Sequence, residues 1–171
     1  VELKVVDGVV QCDLNQDVLY IAQVERHGKT GGIGKAFMGG FKLKKGAIAS
    51  SMGHDNHNII VMGTNHADMA AAVNEIARIQ GGQVFVVDGK VISEIPFPVC
   101  GLQSDLSAEE LAEEKRKFNE KLHECGCEIN YTCMFLSFIC LAAIPLYAIT
   151  DKGFIDVLQQ KVIDPIQEVL E

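Results

Sequence analysis

The four-residue sequence Val-Val-Asp-Gly occurs twice in this chain, and further β-forming residues follow it each time. The first copy lies in VVDGVV at residues 5–10, and the second lies in VVDGKV at residues 86–91. Asp-Gly favours a tight type I′ turn because both of its residues tolerate a positive φ, so each copy predicts a β-hairpin. Two hairpins in 171 residues predict a sheet with mainly antiparallel pairing.

Helices are predicted in three segments of the chain. NHADMAAAVNEIARIQGG has apolar residues at helical spacing, with Asn65 as the N-cap and Gly81 at the end. A second helix follows Ser107, which forms a capping box with Glu110. CMFLSFICLAAIPLYAI carries no charge, but Pro145 interrupts it and it barely reaches the roughly 17 residues of the shortest membrane span. It therefore predicts a buried helix up to Ala143, followed by a strand.

Four further segments predict strands: VLYIAQVER, which is rich in branched and aromatic residues, GAIASS and NIIVMGT as short buried strands, and LYAITDKGFIDV as two strands around a turn. The final PIQEVLE is compatible with a short terminal helix. Helices and hairpins follow one another without a regular β-α-β order. We therefore predict an α+β fold, with a mainly antiparallel or mixed β-sheet and about three packed helices, in a single domain over residues 1–171.

The segment GKTGGIGKAFMGGF, residues 28–41, contains six glycines in fourteen residues. A phosphate-binding loop of the GxxxxGK[ST] type would need a glycine at position 23, which is Gln. We interpret the segment as a flexible or tightly turned surface loop rather than a phosphate cradle.

Composition excludes some classes of function. The net charge of −8 argues against nucleic-acid binding, which needs a basic surface, and the 48% apolar and 22% charged content is that of a soluble globular protein without a membrane segment. No secretory signal is visible, so we interpret the six cysteines as reduced thiols in a cytoplasmic protein. Because the chain opens at Val1 in strand-like sequence, we expect it to be a piece of a longer polypeptide.

A cysteine-rich segment raises the question of a metal site. HECGC brings His123, Cys125 and Cys127 together, and Cys133 follows. The CxC spacing differs from the CxxC pairs of structural zinc sites. We therefore interpret these cysteines as small buried hydrophobic residues.

Two short segments are dense in polar side chains. HDNHN, residues 54–58, lies between two predicted strands, and its two histidines and one aspartate are one ligand short of a closed zinc site. ERHGKT, residues 25–30, follows another predicted strand, where functional side chains often lie on loops. From the residues alone, HDNHN is either a hydrogen-bonding or proton-transfer group or a satisfied polar turn.

Three long stretches carry a family resemblance: VERHGKTGGIGKAFMGGFKLKKGAIASSMGHDNHNIIVMGT, GGQVFVVDGKVISEIPFPVCGLQSD and LSFICLAAIPLYAITDKGFIDV. Together they resemble, in the family's order, the C-terminal domain of microbial adenine deaminases, which belong to the amidohydrolase superfamily. The resemblance covers roughly residues 20–157, and GAIASSxxHDxHNI is its most specific part. The chain departs from the family at Gly53 and around Tyr131–Cys133, which leaves the local packing near Cys125–Cys133 open.

The resemblance implies an enzyme of purine salvage that hydrolyses adenine to hypoxanthine and ammonia. In that family a divalent metal (Mn, Fe or Zn), bound inside a (β/α)₈ barrel, activates a hydroxide for attack on the purine C6. The barrel's ligands include a His-x-His pair, which this chain lacks, and a barrel of about 250 residues does not fit into it. The resemblance thus implies an N-terminal amidohydrolase barrel in the same polypeptide, a homo-oligomer, adenine as substrate of the whole enzyme, and no metal or cofactor on this chain.

We hypothesise that the domain helps to close the active site or stabilise the assembly, and that it is inactive alone. No catalytic residue is assigned to this chain. The residues expected to face the active site are His54, Asp55, His57 and Asn58, with Arg26 and His27 as secondary candidates. The alternatives are a purely structural or oligomerisation domain, and a stand-alone purine-binding module that uses the glycine-rich segment.

Overall fold

The computed structural model of the chain describes residues 1–169. Over this range the strands are β1 (Val5–Val6), β2 (Val9–Val10), β3 (Val18–Val24), β4 (Ile33–Gly39), β5 (Ala47–Ser50), β6 (Ile59–Gly63), β7 (Gly82–Val87), β8 (Lys90–Pro96), β9 (Tyr147–Thr150), β10 (Gly153–Asp156) and β11 (Lys161–Ile163). The helices are α1 (His66–Arg78), α2 (Ala108–Glu124) and α3 (Thr132–Ile139). The predicted α+β class is confirmed.

The main sheet has six strands in the spatial order β4-β3-β6-β5-β7-β8. All of its neighbouring strands are antiparallel. β1 and β2 form a separate hairpin, and β9, β10 and β11 form a small antiparallel sheet. Both predicted Asp-Gly hairpins are confirmed: φ is 51° and 77° at Asp7 and Gly8, and 51° and 72° at Asp88 and Gly89.

Helix α1 covers one face of the main sheet. Asn65 caps it as predicted, because its side-chain oxygen accepts a hydrogen bond from the backbone N–H of Asp68. Met69, Ala72 and Ile76 are the buried residues that α1 packs into the apolar cluster on this face. This face of the sheet therefore has its own small core.

Helices α2 and α3 lie on the opposite face. The predicted capping box at Ser107 and Glu110 is present, and Phe118 and Leu122 of α2 are buried in the core there. α3 contributes Leu136 and Cys133 to the same core, and Cys125, Cys127 and Cys140 are buried there as well. The interpretation of these cysteines as buried hydrophobic residues is therefore confirmed.

The prediction of a buried helix up to Ala143 is only half correct. α3 ends at Ile139, and only one of its faces is buried. The other face carries apolar side chains that are about half exposed, namely Met134 (50%), Phe135 (49%) and Phe138 (46%), and the N-cap residue Tyr131 is 67% exposed. An uncharged sequence thus predicted burial on all sides, but half of this helix has no covering element within residues 1–169.

The prediction of a surface loop over residues 28–41 is wrong from Ile33 onward, where β4 forms the edge of the main sheet. At Gly34 in this strand, a close contact with another part of the chain leaves no space for a side chain. A β-carbon placed there would lie 1.8 Å from the carbonyl oxygen of Thr150, at the turn between β9 and β10. The missing side chain therefore lets the small sheet pack directly on the backbone of β4.

The C-terminal segment after β11 forms no helix between Pro165 and Val169, so the short helix considered for PIQEVLE is absent there. The rest of that segment, Leu170 and Glu171, lies outside the described residues. Over residues 1–169, every helix is too short or too polar to cross a bilayer.

Candidate functional site

The two polar segments of the sequence meet at one end of the main sheet. β3 and β6 are antiparallel neighbours that pair Val24 with Ile59, so the loop after β3 lies beside the turn before β6. We call residues 25–27 and 54–58 together the polar cluster. All six candidate residues belong to it, which sequence distance alone could not show.

Arg26 connects the two halves of the polar cluster. Its backbone N–H donates to Oδ1 of Asn58 at 3.3 Å, and its Nε donates to the carbonyl oxygen of His57 at 2.5 Å. Its Nη2 donates to the carbonyl oxygen of Cys100 at 3.1 Å. Asn58 is only 3% exposed. Arg26 and Asn58 therefore hold the turn in place rather than face solvent.

A hydrogen-bonded pair of side-chain amides holds the turn at residues 54–57 against β3. Gln23 in β3 is fully buried, and its Nε2 donates to Oδ1 of Asn56 at 3.0 Å while Nδ2 of Asn56 donates to Oε1 of Gln23 at 3.1 Å. The ring Nε2 of His27 lies 2.8 Å from the carbonyl oxygen of Asn56. Sequence reasoning missed Gln23, although a polar residue inside the apolar strand VLYIAQV was a usable signal.

The side chains of His54 and Asp55 form the outer part of the polar cluster, and the His57 side chain lies partly buried beside them. Asp55 is 86% exposed, and its Oδ1 lies 3.8 Å from Nδ1 of His54, which is longer than a hydrogen bond. The rings of His54 and His57 are 6.2 Å apart. Nδ1 of His57 is buried and has no hydrogen-bond partner within the described chain. A buried ring nitrogen in that state needs a donor or acceptor from elsewhere.

The polar cluster does not fit a metal ion. Among residues 1–169, no three His, Cys, Asp or Glu side chains converge closely enough to hold one. The chemistry available to the cluster is thus hydrogen bonding and proton transfer.

The loop after β3 also explains why the glycine-rich segment is not a phosphate cradle. The Glu25 carboxylate accepts hydrogen bonds from the backbone N–H groups of Lys29, Thr30 and Gly31, at 3.0, 3.2 and 3.2 Å, and from that of His27. Desolvation opposes ionisation, but these N–H groups prevail and hold the pKa of Glu25 below its ordinary value. The amides that would bind a phosphate are already occupied by a carboxylate.

Fold and site together define a class of protein: an antiparallel α+β domain whose polar side chains gather at one sheet end without forming a metal centre within residues 1–169. Comparison with known proteins identifies the family within this class. Residues 1–161 match the family described as the adenine deaminase C-terminal domain. The chain belongs to this family.

Relatives named adenine deaminase extend well beyond this domain. The chain is 46% identical to the adenine deaminase of Desulforamulus reducens over 166 residues, which are 97% of this chain and 28% of that protein. Identity is 43% over the same shares of both chains for adenine deaminase 1 of Desulfotalea psychrophila. It is 41% over 96% of this chain for the adenine deaminase of Methanococcoides burtonii, again 28% of that protein. The chain thus spans little more than a quarter of the length of these relatives.

Proposed function

We propose that residues 1–171 form the accessory C-terminal domain of a cytoplasmic adenine deaminase, an enzyme of purine salvage that hydrolyses adenine to hypoxanthine and ammonia. One observation carries the proposal: the chain belongs to the adenine deaminase C-terminal domain family while covering 28% of proteins that bear that name. The catalytic domain would then precede residue 1 in the same polypeptide. The reaction itself would take place there.

Metal chemistry is assigned to that preceding domain. Its amidohydrolase barrel would hold the divalent ion, Mn, Fe or Zn, because the described residues of this chain do not fit one. This chain alone should therefore release no ammonia from adenine, with or without added Mn²⁺, Fe²⁺ or Zn²⁺. Ammonia production above background by the isolated chain would contradict the assignment.

The role of this chain is to present the polar cluster to the mouth of the catalytic domain. His54 and Asp55 form its outward part and His57 lies partly buried beside them, whereas Arg26 and Asn58 position the turn and His27 binds the backbone at Asn56. The unpaired Nδ1 of His57 supports this proposal, since a buried polar atom without a partner among the described residues shows that the hydrogen bonding of the turn is incomplete there. A neutral imidazole there can bond to a purine nitrogen or to an ordered water molecule.

Kinetics of the full-length enzyme test the proposal. His57→Ala and Asp55→Ala should each lower kcat/KM for adenine by about tenfold or more, which corresponds to a loss of about 1.4 kcal/mol of transition-state stabilisation. His123→Ala is the matched control, because His123 is an exposed histidine at the end of α2. Unchanged kcat/KM in both cluster variants, with a folded enzyme, would disprove the proposed role.

A purely structural or oligomer-building role is the second candidate, and the buried amide pair of Gln23 and Asn56 favours it. Under that role, Asp55→Ala and His57→Ala would lower the unfolding temperature or alter the assembly, while each folded molecule keeps its turnover. A third candidate, a stand-alone purine module, loses support because Glu25 occupies the amides of the glycine-rich segment. Calorimetry with adenine and hypoxanthine should give no heat with this chain at millimolar ligand.

A further inference from the structure

Helix α3 leaves an apolar surface without a cover. Met134, Phe135 and Phe138 lie on one side of the helix, Tyr131 is its N-cap residue, and each of the four is 46–67% exposed. We call these four residues the α3 surface. The segment after the helix adds further exposed apolar side chains, namely Ile144 (75%), Leu146 (63%) and Tyr147 (52%).

The α3 surface has the composition of an interface core. No charged residue occurs from Asn130 to Thr150, although the whole chain carries a net charge of −8. Aromatic and methionine side chains are enriched at the centres of protein interfaces, where charged residues are depleted. Contiguous exposed apolar patches are uncommon on soluble monomers and mark sites of association. The composition therefore indicates a protein partner.

The α3 surface adjoins the polar cluster. The backbone N–H of His54 donates to the carbonyl oxygen of Ser137 in α3 at 3.0 Å. The ring of His54 lies 5.2 Å from the ring of Phe138. A partner that covers the α3 surface would consequently reach the outer side chains of the polar cluster as well.

We propose that the α3 surface is where this domain docks against the polypeptide that precedes residue 1, and this inference rests on the proposed function. The length of the relatives selects that occupant over a second copy of the chain. The relatives have about 72% of their length outside the matched region, since the match covers 28%. That part is joined covalently to this domain, so its effective concentration exceeds that of a separate molecule.

Photo-cross-linking in the full-length enzyme identifies the occupant. A benzophenone side chain is placed at Phe135, and unlabelled and ¹⁵N-labelled copies are mixed, irradiated, digested and mapped by mass spectrometry. We expect cross-links from position 135 to residues that precede residue 1, and only between peptides of the same label. The control position is Val91 of β8, an exposed apolar residue (42%) at the far edge of the main sheet.

Two outcomes would overturn the inference. Cross-links between differently labelled peptides would show that a second copy covers the α3 surface. A yield at position 135 no higher than that at position 91 would show that the surface is free. The map does not depend on turnover, so this experiment can fail while His57→Ala still lowers kcat/KM, and the reverse is equally possible.

Proteolysis supplies a second measurement with a folded variant. Because Met134 and Phe135 are half exposed, replacing both by serine (Met134→Ser with Phe135→Ser) should leave the core of this domain intact. Loss of docking should increase the rate of cleavage between the two domains at least tenfold. Val91→Ser should leave that rate unchanged, and an unchanged rate in the double variant would contradict the inference.

Discussion

Helices α2 and α3 pack on the same face of the main sheet, yet their outer surfaces differ completely. α2 covers its outer surface with ion pairs along the helix, such as Arg116 with Glu113 at 2.7 Å and Lys117 with Glu114 at 2.8 Å. α3 has no charged side chain, and its outer surface is aromatic and apolar. The outer surface of α2 is suited to contact with water, whereas that of α3 is suited to contact with another protein surface. The difference locates the side of the domain that is incomplete in isolation.

The largest expected effect tests whether the inner face of α3 is firmly packed although its outer face is uncovered. Burial raises the pKa of the Cys133 thiol, and that of the Cys140 thiol, to about 12. At pH 8 the fraction of Cys133 or Cys140 that is present as the reactive thiolate is thus about a thousandfold lower than for an ordinary thiol with a pKa of about 8.5. Iodoacetamide labelling with peptide mapping should modify exposed Cys100 at least about a thousandfold faster than Cys133. Comparable rates would mean that α3 opens readily.

The second prediction compares side chains of one type on the two helices. Phe118→Ala in α2 removes a ring that is 2% exposed, so it should lower the free energy of unfolding by about 3–5 kcal/mol. Phe135→Ala in α3 removes a ring that is 49% exposed, and it should cost less than about 1 kcal/mol in the 171-residue chain. Urea denaturation measures both. Equal losses would show that the outer face of α3 is already packed within this chain.

Local signals explain why much of the fold was predictable. The Asp-Gly hairpins, the Asn65 cap and the Ser107–Glu110 capping box depend on neighbours within a few residues, and all of them are present. β4 was missed because Gly34 reflects the approach of Thr150, a residue that is more than a hundred positions away. Long-range contacts of this kind leave no local pattern.

The candidate site was only partly accessible from sequence for the same reason. The two polar segments could be identified as dense in function-bearing residues, but only the pairing of β3 with β6 brings them together. The supporting role of Gln23 likewise depends on Asn56, which lies 33 positions further along the chain. The uncharged α3 segment predicts burial on all sides because burial within the chain and burial against another domain select the same composition.

A smaller effect is expected at the start of α2. Ser107→Ala should cost about 1 kcal/mol, because it removes the cap that accepts from the backbone N–H of Glu110. Hydrogen bonds from the Ser107 side chain and backbone also hold the pKa of Glu110 below its ordinary value. A lowered folded-state pKa stabilises the fold above the unfolded-state pKa and loses that effect as the pH falls through the folded-state value. The gap between wild type and variant should therefore be full at pH 7 and shrink below about pH 4.

The smallest effect concerns the charged outer surface of α2. Arg116 pairs with Glu113 and Glu120, but all three side chains are about half exposed. Solvent screens such pairs, and holding long side chains in one geometry offsets the attraction. Arg116→Met should therefore leave the urea midpoint unchanged within error, both at low salt and at about 1 M NaCl, where the screening length is about 3 Å. A clear loss that salt abolishes would mean that the ion pairs hold α2 in place, and that its outer surface does more than face water.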